Sequence, residues 1–230
     1  MLDNKIRINK YLAQKGVSTR KGADKMISAG KILINGRRAI LGDKVDLNDD
    51  VQILGKAKND YVYYAYNKPK GITSDSQKGE KDILSSINIK GVFPIGRLDK
   101  DSEGLIILTN DGRITDRLLS PKYDHEKEYI VHTRTPIKNF QINVMAKGME
   151  LEGIDTKSCK VKLLSEKSFS IILGEGQKHQ IRRMCDALSM TIDSLKRVRV
   201  MNIRIGDLKN NQLRKIEGDE LKAFLTSLSL

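Results

Sequence analysis

Only two of the 230 residues are cysteine, Cys159 and Cys185. Two cysteines in so long a chain argue against a disulfide framework and favour a reducing compartment. The sequence also lacks any run of about 18 apolar residues, the length that a membrane helix needs. Its first residues, MLDNKIRINK, have no apolar stretch typical of a secretory signal. These absences predict a cytoplasmic protein that does not enter a membrane.

Histidine is scarce as well, with three scattered residues and no CxxC pair, so a zinc site has little support. The segment Gly174-Glu175-Gly176 is too short for a dinucleotide-binding fingerprint. We therefore expect no cofactor.

Positive charge is abundant: the chain has 42 Lys and Arg against 29 Asp and Glu, a net charge of +13. Residues 1–58 carry +7 of this surplus. A basic balance favours a polyanionic partner, because each phosphate that Lys or Arg neutralises releases a condensed counterion. Excess charge that only keeps the protein soluble is the alternative. Its concentration in the first quarter of the chain favours a dedicated anion-binding module.

Residues 1–58 read as two short helices and a hairpin. INKYLAQKG has apolar residues at helical spacing, and STRKGADKMISAG follows it with a capping Ser or Thr. Asn35-Gly36 in KILINGRRAI is a strong hairpin turn signal. Basic side chains lie off the apolar faces, and we expect them to bind RNA: Arg20, Lys21, Lys25, Arg37 and Arg38. A DNA-reading helix-turn-helix and an inert basic cap remain alternatives.

The polar stretch LGKAKND, residues 54–60, is a predicted linker, which gives domains at 1–58 and 59–230. In the second domain strands outnumber helices and do not alternate with them, so we predict an α+β fold with a mainly antiparallel sheet. The predicted strands are YVYYAYNK, GVFPIG, GLIILT, EYIVHT, SFSIILG and VRVMNIRIG. The predicted helices are GRITDRLLS, a segment around 136–148, HQIRRMCDAL and GDELKAFLTSL.

The segment GRLDKDSEGLIILTNDG, residues 96–112, gathers four carboxylates in a basic chain. A calcium loop fits poorly, because Asn110 stands where a bidentate Glu is required and the flanks read as strands rather than helices. Asp111 is explained as a turn or N-cap residue before the next helix. Asp99 is left, directly after a predicted strand.

Residues 1–58 resemble the S4 RNA-binding domain, and GRLDKDSEGLIILTNDG resembles the signature of the RsuA/RluB/RluE/RluF family of pseudouridine synthases. The segments NKPKG, HEKEYIV and GQKHQIRRM match three further motifs of that family in order. The family joins an S4 domain to a catalytic domain, so the resemblance covers nearly the whole chain. DKDSEGLIILTN, DHEKEY, CKVK and QIRRMC look most similar to the RluF branch, which modifies large-subunit ribosomal RNA.

The resemblance implies that Asp99 is the essential catalytic residue, that Tyr129 lies against the flipped base, and that Arg182 is the basic residue of the site. An ionised carboxylate is suited to act at the sugar, as in glycosidases, and it needs a paired guanidinium to stay charged in a dry site. Arg182 and Arg183 lie off the apolar stripe of their predicted helix, with phosphate binding as the alternative. Arg97 is expected to fill the space that the base leaves.

Further RNA contacts are predicted at Lys68, Lys70 and Arg183, and Cys185 is predicted to lie in the core. The expected partner is 23S ribosomal RNA, free or in an assembly intermediate, and small-subunit ribosomal RNA or a tRNA is the alternative substrate. A ribosome-assembly factor that binds without catalysis is the competing function. A DNA-binding repressor would predict a dimer, but no dimerisation heptads are visible, and we expect a monomer.

Overall fold

The computed structural model describes residues 5–46, 48–54, 61–74 and 81–230. They form two compact units, one of residues up to Val62 with Thr109–Asp116, the other of Tyr63–Leu108 with Arg117–Leu230. Residues 55–60 of the predicted linker lie outside the described residues. The predicted domain boundary between residues 58 and 59 therefore lies outside them as well.

The first unit contains the predicted helices and hairpin. Its elements are β1 (Ile6–Arg7), α1 (Ile8–Gln14), α2 (Arg20–Ser28), β2 (Ile32–Ile34), β3 (Arg37–Arg38), β4 (Lys44–Val45) and β5 (Val51–Ile53). Helix α2 begins where the side-chain oxygen of Thr19 accepts a hydrogen bond from the backbone N–H of Gly22 at 3.0 Å, which satisfies one free donor of the first turn. Asn35 and Gly36 have φ angles of 50° and 81°, as the hairpin requires.

The core of this unit follows from the apolar spacing of its helices. Ile8 and Leu12 of α1 and Ala23 and Ile27 of α2 are buried against strand β2. The strands form a three-stranded sheet, β3-β2-β5, and a pair, β1-β4. Strands β1, β4 and β5 were not predicted, because each is only two or three residues long.

From Tyr63 onward the chain forms eleven strands and five helices within the described residues. The strands are β6 (Tyr63–Lys68), β7 (Phe93–Ile95), β8 (Glu103–Thr109), β9 (Lys127–Thr133), β10 (Glu150–Leu151), β11 (Ile154–Asp155), β12 (Lys160–Ser165), β13 (Ser168–Leu173), β14 (Ile192–Val200), β15 (Ile203–Arg204) and β16 (Leu213–Lys215). The helices are α3 (Ile83–Ser86), α4 (Arg113–Leu119), α5 (Asn139–Lys147), α6 (Gln180–Ala187) and α7 (Gly218–Ser227).

A nine-stranded sheet organises this part of the chain, in the order β12-β13-β9-β14-β8-β6-β16, with β15 on β14 and β7 on β8. The pairs β12–β13, β13–β9 and β9–β14 are antiparallel, whereas the pair β14–β8 is parallel. Gly104 is required at that parallel pair: its φ is +109°, and a Cβ there would lie 2.2 Å from the carbonyl oxygen of Arg197. The predicted α+β class with a mainly antiparallel sheet is confirmed.

The buried face of β9 and β13 packs on α5 and α6 through Val131, Phe169, Ile171, Met145 and Met184. Cys185 is buried in the same core as predicted, and burial raises the pKa of its thiol to about 12. Among the described residues no helix is both long and apolar enough to cross a bilayer.

Candidate active site

A cleft of about 420 Å³ opens in the second unit where several distant segments meet. Its walls come from the loop around Asp99, from β9, from β14, and from the segment that leads into α6. Three residues that the sequence predicted as catalytic, Asp99, Tyr129 and Arg182, all line it.

The loop that carries Asp99 is tied down by the segment after β6. Ser74 accepts from the Leu98 backbone N–H at 3.0 Å and donates to the Leu98 carbonyl at 2.8 Å. Gly71 donates its N–H to the carbonyl of Lys100 at 2.8 Å. The NKPKG segment and the Asp99 segment are thus neighbours because one anchors the backbone of the other.

Lys68 completes this anchoring from inside the protein. Its ammonium donates to the carbonyl of Ser102 at 2.8 Å, and its side chain is fully buried. Burial lowers the pKa of Lys68 to about 8, against the opposing attraction of Asp99, Asp101 and Glu103. The prediction that Lys68 contacts RNA is therefore wrong: it holds the Asp99 loop from beneath.

Helix α6 directs two side chains at the Asp99 carboxylate. His179, its N-cap residue, has a φ of 53° and places Nδ1 3.0 Å from Oδ2 of Asp99. The Nε atom of Arg182 lies 4.0 Å from the same oxygen. Arg182 also donates to the Asp101 carbonyl at 3.2 Å and to Oγ of Ser102 at 3.1 Å. Arg182 therefore reaches Asp99 as predicted, but His179 is nearer.

Sequence reasoning missed His179, although a signal was present. In the predicted helix HQIRRMCDAL, residues 179 and 182 are three apart, a spacing that places their side chains on the same side of a helix. GQKHQIRRM therefore contained both partners of Asp99.

Arg183 points elsewhere. Its guanidinium pairs with Glu152 at 3.2 Å and donates to Oε1 of Gln177 at 3.1 Å, and it is not among the cleft residues. The predicted RNA contact of Arg183 therefore finds no support in the position of its side chain.

Strands β9 and β14 also contribute to the walls of the cleft. Lys127 and Tyr129 share one face of β9, because alternate residues of a strand point the same way, and both line the cleft. Burial, followed by the charge of Arg197, lowers the pKa of Lys127. Arg197 on β14 is buried and donates to the carbonyls of Leu105 at 2.7 Å and Arg97 at 3.3 Å. Neither Lys127 nor Arg197 was predicted.

The solvent exposure of the Asp99 carboxylate differs from what the sequence predicted. We expected a dry site, but 41% of its side chain is exposed. The cleft is open on one side, so the exclusion of water has to come from whatever binds there. Arg97 is exposed at the edge of the same cleft, as a residue that meets the RNA would be.

The remaining predicted RNA contacts are at the surface. Lys70 is exposed, and so are the five basic residues of the first unit: Arg20, Lys21, Lys25, Arg37 and Arg38. Arg37 pairs with Asp43 at 2.9 Å, which leaves less of its charge for an anion. Among the described residues, no three His, Cys, Asp or Glu side chains are grouped closely enough to hold a metal ion.

Two family models match the chain. The model described as RNA pseudouridylate synthase matches residues 62–187, and the S4 domain model matches residues 6–51. The chain therefore belongs to the RNA pseudouridine synthases, and it carries an S4 domain at its N-terminal side. The family inferred from the sequence motifs is confirmed.

Particular relatives agree with this assignment. The chain is 41% identical to the dual-specificity RNA pseudouridine synthase RluF of Escherichia coli K12 over 226 residues, which are 95% of this chain and 78% of that protein. It is 34% identical to the ribosomal large subunit pseudouridine synthase B of Bacillus subtilis, with 94% of each chain covered. A crystal structure of a pseudouridylate synthase matches 97% of this chain and 99% of its own, with a TM-score of 0.72 at 27% identity.

Proposed function

We propose that this enzyme converts uridine to pseudouridine in 23S ribosomal RNA, with Asp99 as the carboxylate that acts at the sugar. The observation that carries the proposal is that Asp99, Tyr129 and Arg182 meet in one cleft from three distant segments. The reaction breaks N1–C1′ and joins C5 to C1′, while C5 loses a proton and N1 gains one. Water takes no part, so a single carboxylate is enough.

Asp99 is suited to this step because its carboxylate has a hydrogen-bond partner and a cation nearby. Nδ1 of His179 and the guanidinium of Arg182 both face the Asp99 carboxylate, at 3.0 Å and 4.0 Å from Oδ2. The ionised group either attacks C1′ or removes the proton at C2′. A nucleotide in the cleft would cover the exposed part of the carboxylate, which strengthens each of these interactions.

Tyr129 is placed to hold the flipped base. A phenol ring on the cleft wall stacks on uracil, and its hydroxyl group is a candidate to take the C5 proton. The cations of Lys127 and Arg97 line the same cleft and suit the phosphates beside the flipped nucleotide. No step needs a redox centre or a metal.

The N-terminal region, residues 1–58, acts in this account as an RNA clamp for the catalytic domain of residues 59–230. The exposed cations Arg20, Lys21 and Lys25 of α2 and Arg38 of β3 support this role, as does the match to the S4 domain. The enzyme works as a monomer in the cytoplasm, where its RNA is made.

The choice of RNA rests on the relatives. One is named for the large ribosomal subunit and one for dual specificity. These names support large-subunit RNA as the substrate, and the second favours a further RNA, for which tRNA is our candidate.

Pseudouridine mapping in the organism that encodes this chain tests the proposed substrate. Deletion of the gene should remove pseudouridine from one site in 23S RNA, and from a tRNA if specificity is dual. Wild-type protein should restore it. Loss confined to 16S RNA, or no loss in any RNA, would contradict the proposal.

A further inference from the structure

An aromatic pair lies in the chain between two cleft-lining residues and is not used by the reaction described above. The rings of Tyr123 and His125 are stacked, with centroids 5.7 Å apart and planes inclined by 19°. Tyr123 belongs to a 3-10 turn, Pro121–Tyr123, and Asp124 continues the turn with a φ of 48°. In the chain the pair lies between Pro121 and Lys127, which both line the cleft.

The tyrosine ring is both accessible and supported. Tyr123 is 43% exposed, so part of its ring is open to a ligand. His125, in contrast, is half-buried, and its ring interacts with the backbone of Arg117 through a hydrogen bond. The pair is therefore an exposed ring backed by a fixed one.

The charge of the pair also suits an RNA ligand. Burial, followed by the charge of Lys127, lowers the pKa of His125, which favours a neutral ring that stacks without a charge of its own. The ammonium of Lys122 lies 4.6 Å from the centroid of the Tyr123 ring. Lys122 is exposed, and a stacked base can replace it over the ring while the ammonium moves to a phosphate.

We propose that Tyr123, backed by His125, is a stacking platform for an unpaired nucleobase next to the target uridine. Aromatic side chains bind splayed-out bases of RNA in this way, and a flipped target leaves its neighbours partly unstacked. This inference rests on the proposed function. It adds a subsite that reads the surroundings of the target and takes no part in the chemistry.

Tyr123→Leu in the full chain tests the platform. The substrate is a large-subunit RNA fragment that contains the target uridine, and the readouts are its affinity and its single-turnover rate. Affinity should fall about 10-fold, because one base stack has roughly that effect. The rate at saturating RNA should stay unchanged, because Asp99, Tyr129 and Arg182 remain. Tyr123→Phe, which keeps the ring, should bind like wild type.

Phe140→Leu is the matched control, because Phe140 is 56% exposed and is not among the cleft-lining residues. It should bind like wild type. An abasic nucleotide placed in turn at each position flanking the target adds the second test. At one flanking position the abasic nucleotide should lower the affinity of the wild-type protein by the same factor as Tyr123→Leu does. At that position it should leave the affinity of the Tyr123→Leu variant unchanged.

The platform would be overturned if Tyr123→Leu bound RNA with wild-type affinity. It would also be overturned if the loss of affinity caused by Tyr123→Leu added to the loss caused by the abasic nucleotide at every flanking position. Neither result would contradict the proposed enzymatic activity. If wild-type protein isomerises no uridine in the fragment, the proposed function fails instead, and the platform fails with it.

Discussion

At the scale of single residues, Asp99 has two partners of different chemistry on the same helix. His179 makes the shorter contact, whereas Arg182 combines an ion pair with two hydrogen bonds to the loop that carries Asp99. Arg182 therefore supports both the charge and the position of the carboxylate.

Arg182→Met should lower the single-turnover rate at saturating RNA by about 100-fold, the usual effect of removing one group that stabilises the reacting charge. Arg183→Met is the matched control on the same helix, because Arg183 pairs with Glu152 outside the cleft. It should turn over almost normally. A larger loss in Arg183→Met than in Arg182→Met would contradict the assignment of these two roles.

Lys68 gives a prediction for the pH dependence of stability. Its pKa is about 8 in the folded protein and near 10.5 in the unfolded chain, so the unfolded chain holds more protons between these values. The free energy of unfolding of wild type, relative to Lys68→Met, should rise by about 2–3 kcal/mol from pH 7 to pH 10. This additional free energy of unfolding should be lost again as the pH falls through 8. Urea unfolding at a series of pH values measures this difference, and a flat difference would contradict the burial of the charged lysine.

The roles of these residues were predictable to different degrees. Asp99 could be singled out because the other carboxylates of its segment had simpler explanations. Lys68 could not, because a lysine beside Pro69 is typical of surface charge until β6 is seen to lie inside the sheet, between β8 and β16. Arg197 was missed for the same reason, since its role depends on carbonyls of segments about 100 residues away.

At the scale of elements, the parallel pair of β8 and β14 determines where the Asp99 loop and the Arg197 guanidinium meet. Gly104 is the contact point, since β14 approaches it too closely for any side chain. The strand immediately follows the Asp99 loop, so disruption of this pair would displace the site.

Gly104→Ala should destabilise the protein by about 2–4 kcal/mol, because backbone atoms of Arg197 occupy the space of the new Cβ. Gly153→Ala separates this clash from backbone strain. Gly153 also has a positive φ, +79°, but its Cβ would meet nothing within 4 Å, so a loss of only about 1–2 kcal/mol is expected. Equal losses in urea unfolding would show that the close approach has no importance.

The longer elements were predictable, since their apolar spacing and caps are local properties. The predicted strands at β6, β8, β9 and β13 and the helices α4 to α7 are all present. In the second unit the missed elements are α3, β10, β11, β12 and β16, and the single predicted strand VRVMNIRIG is instead the end of β14 followed by β15. Most of the missed elements are short, and β12 is a mostly exposed strand at the edge of the sheet.

At the scale of the whole molecule, the distribution of charge is the main feature. More than half of the net charge of +13 lies in residues 1–58, whereas the cleft proposed as the active site lies in the second unit. Binding and chemistry should therefore respond to different substitutions.

Substitution of Arg20, Lys21 and Lys25 by Gln tests this separation in the full chain, because all three are exposed. The slope of log affinity against log salt should become shallower by about 2, since each lost phosphate contact removes about 0.7–0.9. The rate at saturating RNA should change little. Affinity measured across a salt series decides the matter, and an unchanged slope would make this region an inert cap.

The most direct test of the central claim is the activity of Asp99→Asn. The amide has nearly the shape of the carboxylate but no charge, so folding and RNA affinity should persist while isomerisation is abolished. Tritium release from ribosomal RNA labelled at uridine C5 measures the reaction, and affinity for the same RNA is the control. We predict normal binding with no release above background. Release at the wild-type rate would contradict the assignment of Asp99 as the catalytic carboxylate.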